Sequence, residues 1–134
     1  MVDVIPQDVR EFVRVYIDSL DQLNVLLLLS SEGRTWSVDE VAAALRITPV
    51  IAETSIQHLV ARMLVAGTFS PAGAYRFAPA TEEVRATVSA LARVRAEQGL
   101  ALTNLMNAQA IERVRQAVLW TFADGFRLRG PRDG

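Results

Sequence analysis

The stretch from Trp36 to Phe77, WSVDEVAAALRITPVIAETSIQHLVARMLVAGTFSPAGAYRF, decides the fold. Ser37 followed three residues later by Glu40 is a capping box, in which the hydroxyl accepts from the amide of the third helical residue and the carboxylate reaches back to the cap's own N–H. The box predicts a short helix from Val38 to about Arg46 that buries Val41, Ala44 and Leu45. Thr48 then Pro49 form a second cap, with proline at the first helical position where its missing N–H is harmless. The next helix is therefore expected from Pro49 to about Val65, with Ile51, Ser55, Ile56, Leu59, Val60 and Met63 facing inward. Only Ile47 and Thr48 separate the two, so they must cross sharply. After Gly67 the pattern alternates. Thr68 to Ser70 and Tyr75 to Phe77 flank a turn, Pro71 to Ala74, as in a β-hairpin.

Upstream, Pro6 opens an amphipathic helix carrying Val9, Phe12, Val13, Tyr16, Ile17 and Leu20. A second helix, about Ser19 to Ser31, contains Leu20, Leu23 and the block Val25 to Leu29, and a helix with almost no polar face must be buried. Gly33 is its natural stop. Downstream, Thr81 with Glu82 and Glu83 opens a long helix bearing Val84, Val88, Leu91, Leu102 and Leu105, with a kink or break at Gly99. A last helix, about Ala108 to Phe126, carries Ile111, Val114, Val118, Phe122 and Phe126 on one face.

Length and composition fit one mainly helical domain. The chain has 134 residues, 51% hydrophobic and 22% charged, enough for a single core and not for two. With no cysteine, disulfides, thiolate chemistry and Cys-based zinc sites are excluded. The segment Met1 to Gln7 has no export signature, and the longest apolar run, Val25 to Leu29, is far below the ~20 residues of a membrane span, so a cytoplasmic location away from membranes is expected. All 14 basic residues are arginine and the net charge is -1, so the chain is no general polycation. The charge is uneven: -4 over residues 1–32, +1 over 33–80 and +2 over 81–134.

The order core helix, short strand at Thr35-Trp36, capped helix, tight turn, longer helix and hairpin resembles the winged-helix variant of the helix-turn-helix in bacterial regulators of the MarR and PadR kind. The resemblance spans about Ser19 to Pro79. It rests on Trp36 to Ala42 before and into the first capped helix, Leu45-Arg46-Ile47-Thr48-Pro49 at the turn, and Val60-Ala61-Arg62-Met63 followed by Gly67-Thr68-Phe69 at the exit. It implies a mainly α, winged helix-turn-helix fold with a short β-hairpin wing and extra N- and C-terminal helices. The organisation expected is an N-terminal helix (1–18), a winged-helix core (19–80), a C-terminal helical region for dimerisation or partner binding (81–126) and a tail (127–134).

By the same resemblance Pro49 to Val65 is the recognition helix and Phe69 to Phe77 the wing, and the partner is double-stranded DNA. Thr54, Gln57, His58 and Arg62 are the candidates for the major groove, with Arg34, Arg46 and Arg76 reaching phosphates. Against this, Glu53 offsets Arg62, and the wing tip Ala72-Gly73-Ala74 has no cation, so Gln57 and His58 as plain solvated polar residues is nearly as good a reading. Catalysis has no support. His58 is the sole histidine, which excludes a multi-histidine metal site, and Asp39/Glu40 and Glu82/Glu83 sit in first turns where capping and the helix dipole account for them. No cofactor and no metal are called for. Trp36, Trp120, Phe122 and Phe126 could line a small-molecule pocket or be ordinary core.

Surplus apolar surface outside the winged-helix core predicts a homodimer through Phe12, Tyr16, Val84, Val88, Leu91, Leu102, Leu105, Val118 and Phe122, unless these stripes close on each other. Two functions remain: a dimeric winged-helix transcription regulator that binds DNA, or a winged-helix protein-interaction module acting on another regulator or the transcription machinery through the C-terminal helices.

Overall fold

A computed structural model describes residues 5–69 and 72–129. The hairpin residues Ser70 and Pro71 and the tail from Gly130 onward lie outside the described residues, as do the side chains of Phe69, Phe122 and Phe126. The element order is α1 (Gln7–Tyr16), α2 (Leu20–Glu32), β1 (Trp36–Ser37), α3 (Val38–Leu45), α4 (Pro49–Ala61), β2 (Val65–Phe69), β3 (Ala72–Phe77), α5 (Glu82–Glu97) and α6 (Gly99–Arg129). This is the mainly helical winged helix-turn-helix expected from the sequence.

Local chemistry accounts for most boundaries. Ser19 caps α2 by accepting from the Gln22 amide, and Gly33 ends the helix in the left-handed region at φ 67°. Both halves of the Ser37/Glu40 box are made, at 3.1 and 2.9 Å. The Ser37 backbone N–H holds the Glu40 carboxyl below its usual value. Thr48 accepts from the Ile51 amide, and Thr81 from that of Val84.

The helix α4 ends at Ala61, four residues before the sequence pattern suggests. Arg62 leaves the helix and Met63 turns left-handed at φ 63°. The Met63 amide then bonds to the Val60 carbonyl and the Leu64 amide to that of Leu59, a Schellman closure made without glycine. Ser55, Ile56 and Leu59 are buried as expected, but two of the six inward positions are not. Met63 and Ile51 are exposed, while Ala52 and Leu64 take the inward positions. In α3 likewise Ala42, not Ala44, joins Val41 in the core.

The sheet runs β1-β3-β2, antiparallel throughout, with Trp36 opposite Tyr75 and Gly67 opposite Tyr75 on its other side. Within α2, Leu23, Val25, Leu26 and Leu29 are fully buried, whereas Leu27 and Leu28 are half-buried and pack against the core. One core runs from Val9, Phe12, Val13 and Ile17 of α1 and its exit through α2, α3 and α4 to Val88, Leu91 and Val94 of α5 and Leu102 of α6. The break expected near Gly99 occurs at Gln98, and beyond it α6 is a single helix with no new start at Ala108.

Two expectations follow. Leu26→Ala should lower unfolding free energy by about 2–5 kcal/mol and Leu27→Ala by clearly less, measured by urea denaturation; equal losses would contradict the packing order in α2. Because Glu40 has a lowered pKa in the fold, its capping contribution is present above the unfolded value of about 4.5 and is lost as pH falls through the folded one. The stability gap between the wild type and Glu40→Gln should therefore close on acidification.

Candidate nucleic-acid interface

The helix α4 is held by one face. Ala52, Ser55, Ile56 and Leu59 are buried, which turns Val50, Glu53, Thr54, Gln57 and Ala61 outward. Val50 is 74% exposed. Thr54 and Gln57 are thus on the outer face, as their sequence positions suggested. Gln57 is also tied to the wing: its Nε2 donates to the Tyr75 hydroxyl at 3.0 Å.

The three arginines proposed for phosphates differ in freedom. Arg46, in the left-handed position that ends α3, and Arg76, on β3, are exposed and make no ion pair among the described residues. Arg34 is engaged. Its guanidinium lies 3.5 Å over the Trp36 ring and within 3.5 Å of both Glu32 and Glu40.

His58 and Arg62, expected in the groove-facing set, both turn toward the end of α1. The His58 ring is only 14% exposed, and its Nε2 donates to the Tyr16 carbonyl at 3.0 Å. Its Nδ1 faces Arg62 at 3.4 Å and the Asp18 carboxylate at 3.8 Å, and Arg62 itself lies 3.7 Å from Asp18. From α6, Arg113 donates to the carbonyls of Ile17 at 2.9 Å and Arg14 at 3.3 Å and approaches Asp18 at 3.9 Å. The last carbonyls of a helix have no partner within it and form its negative end, so donors and cations from two other helices converge there. The sequence could not signal this, since His58 and Tyr16 are 42 residues apart.

The apolar stripes assigned to a second copy are divided. Phe12, Val88, Leu91 and Leu102 are buried within the chain's own core, and Tyr16, Val84 and Leu105 are partly buried against it. These residues are largely used up by contacts of α1, α5 and α6 with one another, so the open apolar face lies elsewhere. Val118 is 61% exposed. Ile111, Val114, Leu119 and Trp120, all on the same half of α6, are exposed with it, whereas the Phe122 side chain lies outside the described residues. Side chains from α6 reach α1 as far along as Arg113, and every described residue from Val114 to Thr121 is exposed. Trp36 is core and Trp120 surface, so they are not two walls of one pocket. Among the described residues no helix is long and apolar enough to cross a membrane, and no three His, Asp or Glu side chains gather as metal ligands.

Solved structures with the same arrangement fix its type. Rv2887, a MarR family protein of Mycobacterium tuberculosis, superposes with a TM-score of 0.50 at 23% identity, over 85% of this chain and 82% of its own. The adhesin competence repressor AdcR of Streptococcus pyogenes does so with a TM-score of 0.50 at 21% identity, over 87% of each chain. The fold is a MarR-type winged helix. No family profile and no curated protein sequence matches the chain. In this winged helix the α1 terminus joins the projecting α6 to α4, and that junction can be tested. Arg113→Ala should lower stability by about 1 kcal/mol through loss of charged hydrogen bonds to two carbonyls. Backbone amide shifts should move at residues 14–18 and near His58; shifts confined to α6 would contradict the junction.

Proposed function

We propose that this protein is a dimeric, cytoplasmic transcription regulator that binds duplex DNA through α4. The observation that carries the reading is the outer face of α4. One side of the helix is locked into the core, and the other presents Val50, Thr54 and Gln57 to solvent, flanked by the unpaired Arg46 and Arg76. Helices so mounted enter the major groove with their exposed side chains on base edges, while nearby cations hold phosphates. The structural neighbours support it: one is a MarR family protein and the other is named a repressor. The DNA-contacting set is then Thr54, Gln57, Arg46 and Arg76, with Arg34 restrained by its own pairs and His58 and Arg62 acting from behind the helix.

The second copy docks on the projecting half of α6. Val114, Val118, Leu119 and Trp120 are an apolar surface of a kind that soluble monomers rarely leave open. A twofold pair covers such a surface in both copies at once and sets two α4 helices roughly 34 Å apart, one turn of DNA. On this reading residues 19–80 contact DNA and, within residues 81–126, the projecting half of α6 holds the pair together. The absence of any cation on the outer face of α4 favours a second reading, in which the same surfaces dock on a protein of the transcription machinery.

Fluorescence anisotropy with duplex DNA over a range of salt separates the two. Binding that weakens with salt, with Arg46→Ala and Arg76→Ala each flattening the logarithmic slope by about one unit, is the expected result. No binding at the lowest salt would favour the protein-docking reading. Val118→Asp should give a folded monomer by sedimentation, and a dimer that survives it would remove α6 from the interface.

A further inference from the structure

The outer face of α4 carries one primary amide, Gln57, beside the hydroxyl of Thr54, and that amide is held in place. Its Nε2 donates one hydrogen to the Tyr75 hydroxyl at 3.0 Å. Tyr75 is itself fixed. It lies in the central strand β3, paired with Trp36 on one side and Gly67 on the other. A Cβ at Gly67 would stand 3.4 Å from the Tyr75 Cε1, so the phenol ring lies down on the bare glycine. Gly67 has an ordinary backbone conformation, and a Cβ there would be in van der Waals contact with the ring.

The consequence is chemical. A primary amide carries two N–H hydrogens and one carbonyl oxygen. With one hydrogen engaged by Tyr75, Gln57 keeps one donor and one acceptor pointing outward. Adenine presents that complement in the major groove, an N7 acceptor beside an N6 amino donor. Guanine presents two acceptors, O6 and N7, and would need both hydrogens. We infer that Gln57, held by Tyr75 of the wing, reads an adenine in the half-site, and that Tyr75 is a positioning residue that turns an amide able to meet either purine into one that selects adenine. This rests on the DNA-binding reading given above and names the base that α4 recognises.

The test starts with the full-length chain and a pool of random-sequence duplexes, from which bound DNA is selected and sequenced. Single base-pair changes are then made in the preferred duplex. One position should show adenine favoured over guanine by roughly tenfold or more, and Gln57→Ala should abolish the preference there and leave other positions unchanged. Tyr75→Phe keeps the ring and removes the hydroxyl. It should shrink the adenine-to-guanine ratio several-fold at that position alone, with the salt slope, the affinity for unrelated duplex and the melting curve unchanged. Guanine favoured in the wild type would mean the amide is turned over, and a ratio unaffected by Tyr75→Phe would mean the wing does not orient it. Either result overturns the inference while leaving DNA binding intact. Failure to select any duplex overturns the DNA-binding reading itself and this inference with it.

Discussion

The constraint on which the architecture depends is the lack of a polar face on α2. A helix carrying Leu23, Val25, Leu26, Leu27, Leu28 and Leu29 cannot lie against water on any broad side, so other elements must surround it. Helices α3, α4 and α5 and strand β3 all pack on it. The apolar faces of those elements are thereby consumed, and their opposite faces turn to solvent. The outward face of α4 is thus a by-product of burying α2, and its side chains are open to a ligand because the core needs nothing from them.

A second constraint fixes how that face is charged. The C-terminal end of α1 leaves carbonyls unsatisfied, and His58, Arg62 and Arg113 gather around it and around Asp18. His58 of α4 and Arg62 just beyond it therefore serve internal structure. What remains outside is a hydroxyl, an amide, a valine and a glutamate, a surface that, on the DNA-binding reading proposed above, would discriminate by shape and hydrogen-bond pattern more than by charge. On that reading, attraction to a polyanion would fall to arginines at the edges of the element, Arg46 at the turn and Arg76 on the wing. The same junction connects α6 to the back of α4, so the two ends of the molecule share one set of hydrogen bonds.

Much of this was legible in the sequence wherever the signal is local. The capping residues Ser37, Thr48 and Thr81 and the stop at Gly33 each act within four residues, and each appears where the spacing placed it, while the hairpin signalled around Gly67 is present with longer strands, Val65–Phe69 and Ala72–Phe77, than the alternation suggested. Failures came where the deciding contact is distant or the local signal is absent. The end of α4 was misplaced because its left-handed residue is Met63, which carries no glycine signature. The periodicity of α6 was cut in two because Gly99 and the polar residues after it weaken the pattern, whereas packing on α1 and α5 sustains one helix. Of the candidate groove residues, the outward placement of Thr54 and Gln57 could be read from helix phase alone. His58 and Arg62 could not, since the partner that captures them lies on α1. The apolar stripes of α5 and α6 were visible, but whether a stripe faces its own chain or another depends on where α1 lies.

The claim that matters most is that the outer face of α4 lies in the major groove, twice per duplex. The chain contains no cysteine, so Ala61→Cys on that face provides a unique thiol to which an iron chelate can be tethered, with Leu100→Cys at the exposed start of α6 as the control. Radical cleavage of bound duplex from position 61 should fall in two patches about one helical turn apart, with little from position 100. Equal cleavage from both positions, or none from position 61 on a duplex that is demonstrably bound, would contradict the account.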